Sequence, residues 1–139
     1  MKNKPVFFNN HRVRKKISNI KNENDHINLY NYLDSNNILD IGFGDGDSII
    51  NTIRKGDQRI YGIESYTIGV SKVLDFINLR NIENVHVYHG DVVEIIDMFP
   101  NNFFDHVNMF FPDPWPKRRH HKRRFITKFF LDKLKTKVR

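Results

Sequence analysis

No cysteine occurs among the 139 residues, so disulfides and thiolate-ligated metal sites are excluded. No apolar run approaches the roughly 18 residues needed to cross a bilayer. The opening Met1-Lys2-Asn3-Lys4-Pro5 has no apolar core, so a secretory leader is not expected and the cytoplasm is the expected compartment. No internal repeat is visible. Tryptophan occurs once, at Trp115. Of five prolines, three stand at 112, 114 and 116. The length suits one domain with a modest core.

What is present concentrates where those prolines lie. The run from Phe111 to Arg124 reads FPDPWPKRRHHKRR. Each proline fixes its own φ and pushes the preceding residue toward extended geometry. The residues so restricted are Phe111, Asp113 and Trp115. A carboxylate and a large ring are thus held on low-entropy backbone, as preorganised recognition requires. Beyond Lys117 the chain is almost purely basic. The combination reads as a base-sized pocket beside a phosphate-binding surface.

The net charge of +7 conceals a split. Residues 1–21 carry seven Lys or Arg and no acid, and residues 117–139 carry eleven and one acid, Asp132. The stretch between them carries −10. Basic ends of this kind suit a polyanion, or are simply solvated. Residues 1–22 read as a basic, disordered tail, and 23–139 as the domain.

Hydrophobic periodicity predicts alternating helices and strands. Residues 23–33 have helical spacing. Strands are expected at 38–41, 59–64, 85–88 and 104–110. Helices are expected from Asp47, as cap, to about Lys55, from Thr67 to Leu79, from Val92 to Met98, and from about His121 to Lys137. Alternation of this kind implies an α/β fold with a mainly parallel sheet. Ligands of such sheets sit at the carboxyl ends of the strands. Those ends carry Asp40, Glu64, Asp91 and Asp113.

Gly42, Gly44 and Gly46 form G-x-G-x-G in the turn after the first strand, not the dinucleotide G-x-G-x-x-G. Glycine there permits positive φ and close approach of a ligand. Glu64, at the end of the next strand, is placed to accept hydrogen bonds from ribose hydroxyls. Asp40 suits an ammonium, and Asp91 an adenine amine. Ribose, adenine and an amino acid together describe S-adenosylmethionine. It carries no phosphates, so an acidic pocket costs it little, whereas a pyrophosphate would be repelled. That argues against a nicotinamide-dependent dehydrogenase. The plainer role for each acid alone is a helix cap or a solvated loop residue.

Asp113 can accept from guanine N1–H and N2–H₂, and Trp115 can stack on a splayed base or cap the core. Guanine N7 has an in-plane lone pair and no proton to lose. Methylating it needs alignment, and a carboxylate stabilises the cationic product. Lys117, Arg118, Arg119, Lys122, Arg123 and Arg124 would hold phosphates, with His120 and His121 donating to phosphate or base. Those histidines have no further ligands at metal spacing, so no metal site is expected.

The chain resembles the bacterial tRNA (guanine-N7)-methyltransferase family. The resemblance rests on Leu39-Asp40-Ile41-Gly42-Phe43-Gly44-Asp45-Gly46, Gly62-Ile63-Glu64, Gly90-Asp91 and the Phe111–Arg124 block, and covers about residues 37–131. It implies a Rossmann-like class I methyltransferase sheet, S-adenosylmethionine as donor and a variable-loop guanine of tRNA, guanine 46, as acceptor. It implies cofactor contacts at Asp40, Glu64, Asp91 and Asp113, catalysis by Asp113, a substrate contact at Lys117, and RNA contacts over Arg119 to Arg124. Asp40 stands where many members have Glu. Members also continue for roughly a hundred residues more, through strands five to seven. The expected chain is therefore an N-terminal half-sheet of order 3-2-1-4, C-terminally truncated. It would hold the cofactor pocket with an incomplete substrate site. The alternatives are a fragment that binds only RNA or the cofactor, and one half of a split enzyme completed by a separate C-terminal half.

Overall fold

The computed structural model describes residues 28–110, 116–123 and 126–139, with only the backbone of His121, Lys122 and Arg123. Among them, four parallel strands form one sheet: β1 (Asn37–Ile41), β2 (Arg59–Glu64), β3 (Val85–His89) and β4 (His106–Met109). Their order is β3-β2-β1-β4, as expected. Helices α1 (Asp47–Ile53), α2 (Thr67–Leu79) and α3 (Val92–Ile95) make the successive connections, and α4 (Lys128–Lys137) follows β4.

Register decides what each face carries. Asp40 lies opposite Gly62 on β2 and Asn108 on β4. Side chains alternate along a strand, so Ile38, Asp40, Ile60 and Glu64 share one face. The apolar members of that face pack with Ile49 and Ile50 of α1 and Val70, Val73, Leu74 and Ile77 of α2. Leu39, Ile41, Tyr61 and Ile63 share the other, packed with Ile95, Ile96, Phe99, Phe103, Phe104 and, from α4, Phe130 and Leu134. Burial of both faces explains why β1 and β2 read as nearly continuous apolar runs. In the second core Tyr61 meets Phe99, Phe103 and Phe104 edge-on, with centroids 5.5, 5.3 and 5.8 Å apart. Such pairs contribute about 0.5–1.5 kcal/mol each beyond area burial.

Four expectations need correction. The spacing over 23–33 yields only a 3-10 turn at Leu29–Tyr32, where Asn28 accepts the Tyr30 N–H; residues before 28 lie outside the described part. Asp47 does not cap α1. Gly46 holds that position at φ 95°, and Asp47 opens the helix paired with Lys72 of α2. The fourth strand is shorter than 104–110. Phe103 and Phe104 both donate to Lys137 O at the end of α4, while Phe104 forms a parallel bridge with Val138 and accepts from Arg139 N in the segment after it. The basic helix is not continuous. A 3-10 stretch, Arg118–Arg123, precedes α4, which Thr127 caps by accepting the Phe130 N–H.

Candidate functional site

The glycine turn is where the backbone does what other residues resist. Gly42, Gly44 and Gly46 have φ of +67°, +58° and +95°. The three then differ. A Cβ at Gly42 or Gly44 would meet nothing within 4 Å, so both face open space. A Cβ at Gly46 would come within 2.6 Å of Val73 Cγ2, which makes it a packing glycine as well as the cap of α1.

Two further glycines hold the turn in place: Gly69, not singled out from the sequence, and Gly62, noted there only as part of the Gly62-Ile63-Glu64 motif. A Cβ on Gly69 would lie 1.6 Å from Gly44 O, so the first turn of α2 touches the loop backbone. A Cβ on Gly62 would meet Ile49 at 2.6 Å and Phe43 at 2.9 Å. Its absence lets Phe43 and Ile49 lie on the sheet beneath the turn. The only available signal was the small residue itself, within an otherwise helical or strand pattern.

The structure brings Asp40, Glu64 and Asp91 to one edge of the sheet. Asp40 is 1% exposed, and neither of its carboxylate oxygens has a hydrogen-bond partner. Burial, and next the nearby charge of Glu64, push its pKa up to about 6. Glu64 is differently placed. Its Oε2 accepts from Gly44 N at 2.6 Å, and its Oε1 from Ser65 N and Tyr66 N, both at 2.8 Å. An ionised carboxylate has about four acceptor sites, so these amides occupy most of them. Asp91 caps α3, its Oδ1 accepting from Val93 N at 2.8 Å. The plainer capping role is therefore realised there, while Oδ2 is left to accept from a ligand. His89, another residue passed over in the sequence, donates from Nε2 to Ser65 O at 2.9 Å and so ties β3 to the loop that carries the Glu64 contacts.

The basic segment is described in part. Lys117, Arg118 and Arg119 are exposed and His120 is half-buried, on or beside the 3-10 stretch that continues through His121, Lys122 and Arg123. Asp113, Trp115 and Arg124 lie outside the described residues. Among the described residues no three acids or histidines converge as a metal site, and no helix is long and apolar enough to cross a membrane.

An orphaned buried carboxylate fits the ammonium of an amino acid. Two open glycines beside it leave room for a ligand to lie on the backbone. An acid at the end of β2 and another after β3 suit hydroxyl and amine donors. Comparison with known proteins identifies the family. A family model described as "Putative methyltransferase" matches residues 34–139. The chain belongs to that methyltransferase family. The tRNA (guanine-N(7)-)-methyltransferase of Nitrosococcus oceani is 44% identical over 104 residues, 73% of this chain and 44% of the relative. Its counterpart in Buchnera aphidicola subsp. Baizongia pistaciae is 47% identical over 103 residues, 73% of this chain and 43% of the relative. The resemblance read from the motifs is thus borne out, and the chain spans less than half the length of these relatives. Among solved structures, a SAM-dependent methyltransferase from Aquifex aeolicus superposes with TM-score 0.54 at 21% identity, over 74% of this chain and 50% of that one. Spermidine synthase from Thermotoga maritima gives 0.53 at 13%, over 82% and 38%. Those likenesses show the shared fold.

Proposed function

We propose that the chain carries the cofactor-binding part of an enzyme that methylates N7 of a guanine in tRNA, guanine 46 of the variable loop, with S-adenosylmethionine as donor. The observation that carries this reading is Asp40: a fully buried carboxylate, without hydrogen bonds, beside glycines that open onto empty space. A buried charge without a partner is costly and calls for a cationic ligand.

Bound S-adenosylmethionine supplies an electrophilic sulfonium methyl. The protein's part is placement. Asp40 receives the ammonium. Glu64 accepts from the ribose hydroxyls, sharing or giving up the Gly44 amide. Asp91 accepts the adenine amine through Oδ2. Asp113 orients the guanine and stabilises its developing positive charge, with Trp115 stacked on the base. Lys117, Arg119, His120, His121, Lys122, Arg123 and Arg124 hold the phosphates around it. No metal has a role in this scheme.

The test is transfer of labelled methyl from S-adenosylmethionine to tRNA transcripts carrying guanine or adenine at position 46. Label recovered as N7-methylguanine from the first transcript alone is expected. Label on both would overturn the position. No transfer, with both tRNA and S-adenosylhomocysteine bound, favours a fragment that binds without catalysis.

A sheet completed along β4 by further chain is the second reading, and a split enzyme is one form of it. On its outer side β4 has no neighbouring strand among the described residues, yet Phe104 already pairs in parallel with Val138. Further chain, continuous with this one or supplied as a separate C-terminal half, could continue that ladder along β4. Methyl transfer restored by adding the C-terminal half of a relative would support it.

A further inference from the structure

We propose that Asp40 takes up a proton in the ligand-free chain at mildly acidic pH and releases it when the ammonium group of the cofactor enters, so that loading is proton-linked. This rests on the methyl-donor reading above and concerns the energetics of the same site.

The geometry carries the argument. Gly62 lies opposite Asp40, and Glu64 follows two residues later, so the two carboxyl groups share a face of the sheet. They are not equivalent. Three backbone N–H groups meet the charge of Glu64, whereas no donor reaches either oxygen of Asp40. A carboxylate that is desolvated, unpaired and beside a second negative charge gains by taking up a proton. The surrounding elements offer no competing cation among the described residues. Beyond Glu64 on β2, the opposite position on β4 is the neutral Asn108. In the turn, Asp45 accepts from Asp47 N; on α1 and α2, Asp47 and Lys72 are paired with each other at the surface. Burial places the midpoint of Asp40 at about 6. An incoming ammonium supplies the missing partner and makes the ionised form the favoured one.

The consequence is a pH-dependent affinity that distinguishes ligands by their amino group. With a free-state midpoint of about 6, S-adenosylhomocysteine should bind roughly tenfold more weakly at pH 5 than at pH 7. 5′-Methylthioadenosine, which lacks the amino-acid moiety, should show no such change.

The experiment is isothermal titration of the whole chain with both ligands at pH 6 and pH 8, in two buffers of different ionisation enthalpy. The expected result is release of about half a proton by S-adenosylhomocysteine at pH 6, almost none at pH 8, and none by 5′-methylthioadenosine. Asp40→Asn should abolish the release. Heat without proton release at pH 6, or equal release by both ligands, would overturn the proposal while leaving the cofactor reading standing. Absence of binding by a folded sample would instead remove the cofactor reading. The protonation itself is then decided by carbon-detected NMR titration of the ligand-free chain: a carboxyl midpoint near 6, missing in Asp40→Asn, supports it, and one at the ordinary 3.8 overturns it.

Discussion

Glu64 Oε2 accepts the Gly44 N–H at 2.6 Å, so the carboxylate ending β2 fastens the glycine turn that follows β1. The same side chain gathers the amides of Ser65 and Tyr66. One residue thus organises both loops that would face the cofactor. Hydrogen bonds to a charged acceptor contribute about 1.5–3 kcal/mol each. Glu64→Ala is therefore expected to weaken S-adenosylhomocysteine by roughly 10- to 100-fold. It should also speed amide exchange at Gly44 and Tyr66, which hydrogen-exchange NMR reads in the absence of ligand. Unchanged protection at Gly44 would contradict the fastening role.

Gly69→Ala sets two effects against each other. Alanine favours a helix interior over glycine by about 1 kcal/mol. The new methyl, however, would stand 1.6 Å from Gly44 O, a backbone atom with no rotamer to escape through. Overpacking costs about 1–3 kcal/mol, and more where the obstacle is rigid. The clash is expected to win, lowering the thermal midpoint by several degrees. A midpoint equal to or above that of the parent would show that the turn can move away from α2.

Two buried groups are expected to oppose each other as pH changes. Asp40 has a folded pKa of about 6, raised above its ordinary value of 3.8. Its stabilising contribution is full below 3.8 and lost as pH rises through about 6. His86 is held down to about 4 by burial and then by Arg59, whose guanidinium donates to His86 Nε2. Its contribution is present above its ordinary 6.5 and lost as pH falls through about 4. Each amounts to about 3 kcal/mol at most, because a tenfold change in proton affinity corresponds to about 1.4 kcal/mol. Between pH 4 and 6 the two should largely cancel. Asp40→Asn removes one side, so its stability relative to the parent should grow as pH rises from 4 to 7. His86→Phe removes the other, so its stability relative to the parent should grow as pH falls from 7 to 4. Urea denaturation at pH 4, 5.5 and 7 checks both, and parallel curves for parent and variants would contradict the assignments.

Lys117 and Arg119 stand exposed at the basic 3-10 stretch. If they meet phosphates, changing either to Ala should reduce the salt slope of tRNA binding by about 0.7–0.9 for each phosphate no longer neutralised. An unchanged slope would remove that residue from the RNA surface.

The sheet was legible because β1 and β2 are buried on both faces and the helices between the strands follow a 3.6-residue period. The ends of β2 and α2 fell where the pattern put them, at Glu64 and Leu79. The acidic strand ends were legible for the same reason, since topology alone gathers Asp40, Glu64 and Asp91. What one strand contributes to another was not. Nothing in Gly69 announces that Gly44 O will lie against it, and nothing in Glu64 shows that three amides will occupy it. Asp47 looked like a cap because acids favour that position, but the turn needed a left-handed residue there, which Gly46 supplies. The strand expected over 104–110 is observed only over His106–Met109, and nothing local announced that Phe103 and Phe104 would donate to Lys137 O at the end of α4, a contact spanning more than thirty residues.

The most direct test is titration of the folded chain with S-adenosylhomocysteine, in the parent and in Glu64→Ala. Saturable one-to-one binding by the parent, weakened by roughly 10- to 100-fold in the variant, is the expected result. A parent that is folded by circular dichroism and cooperative unfolding, yet yields no binding heat and no ligand-induced thermal shift, would contradict the assignment of the pocket at the ends of β1, β2 and β3.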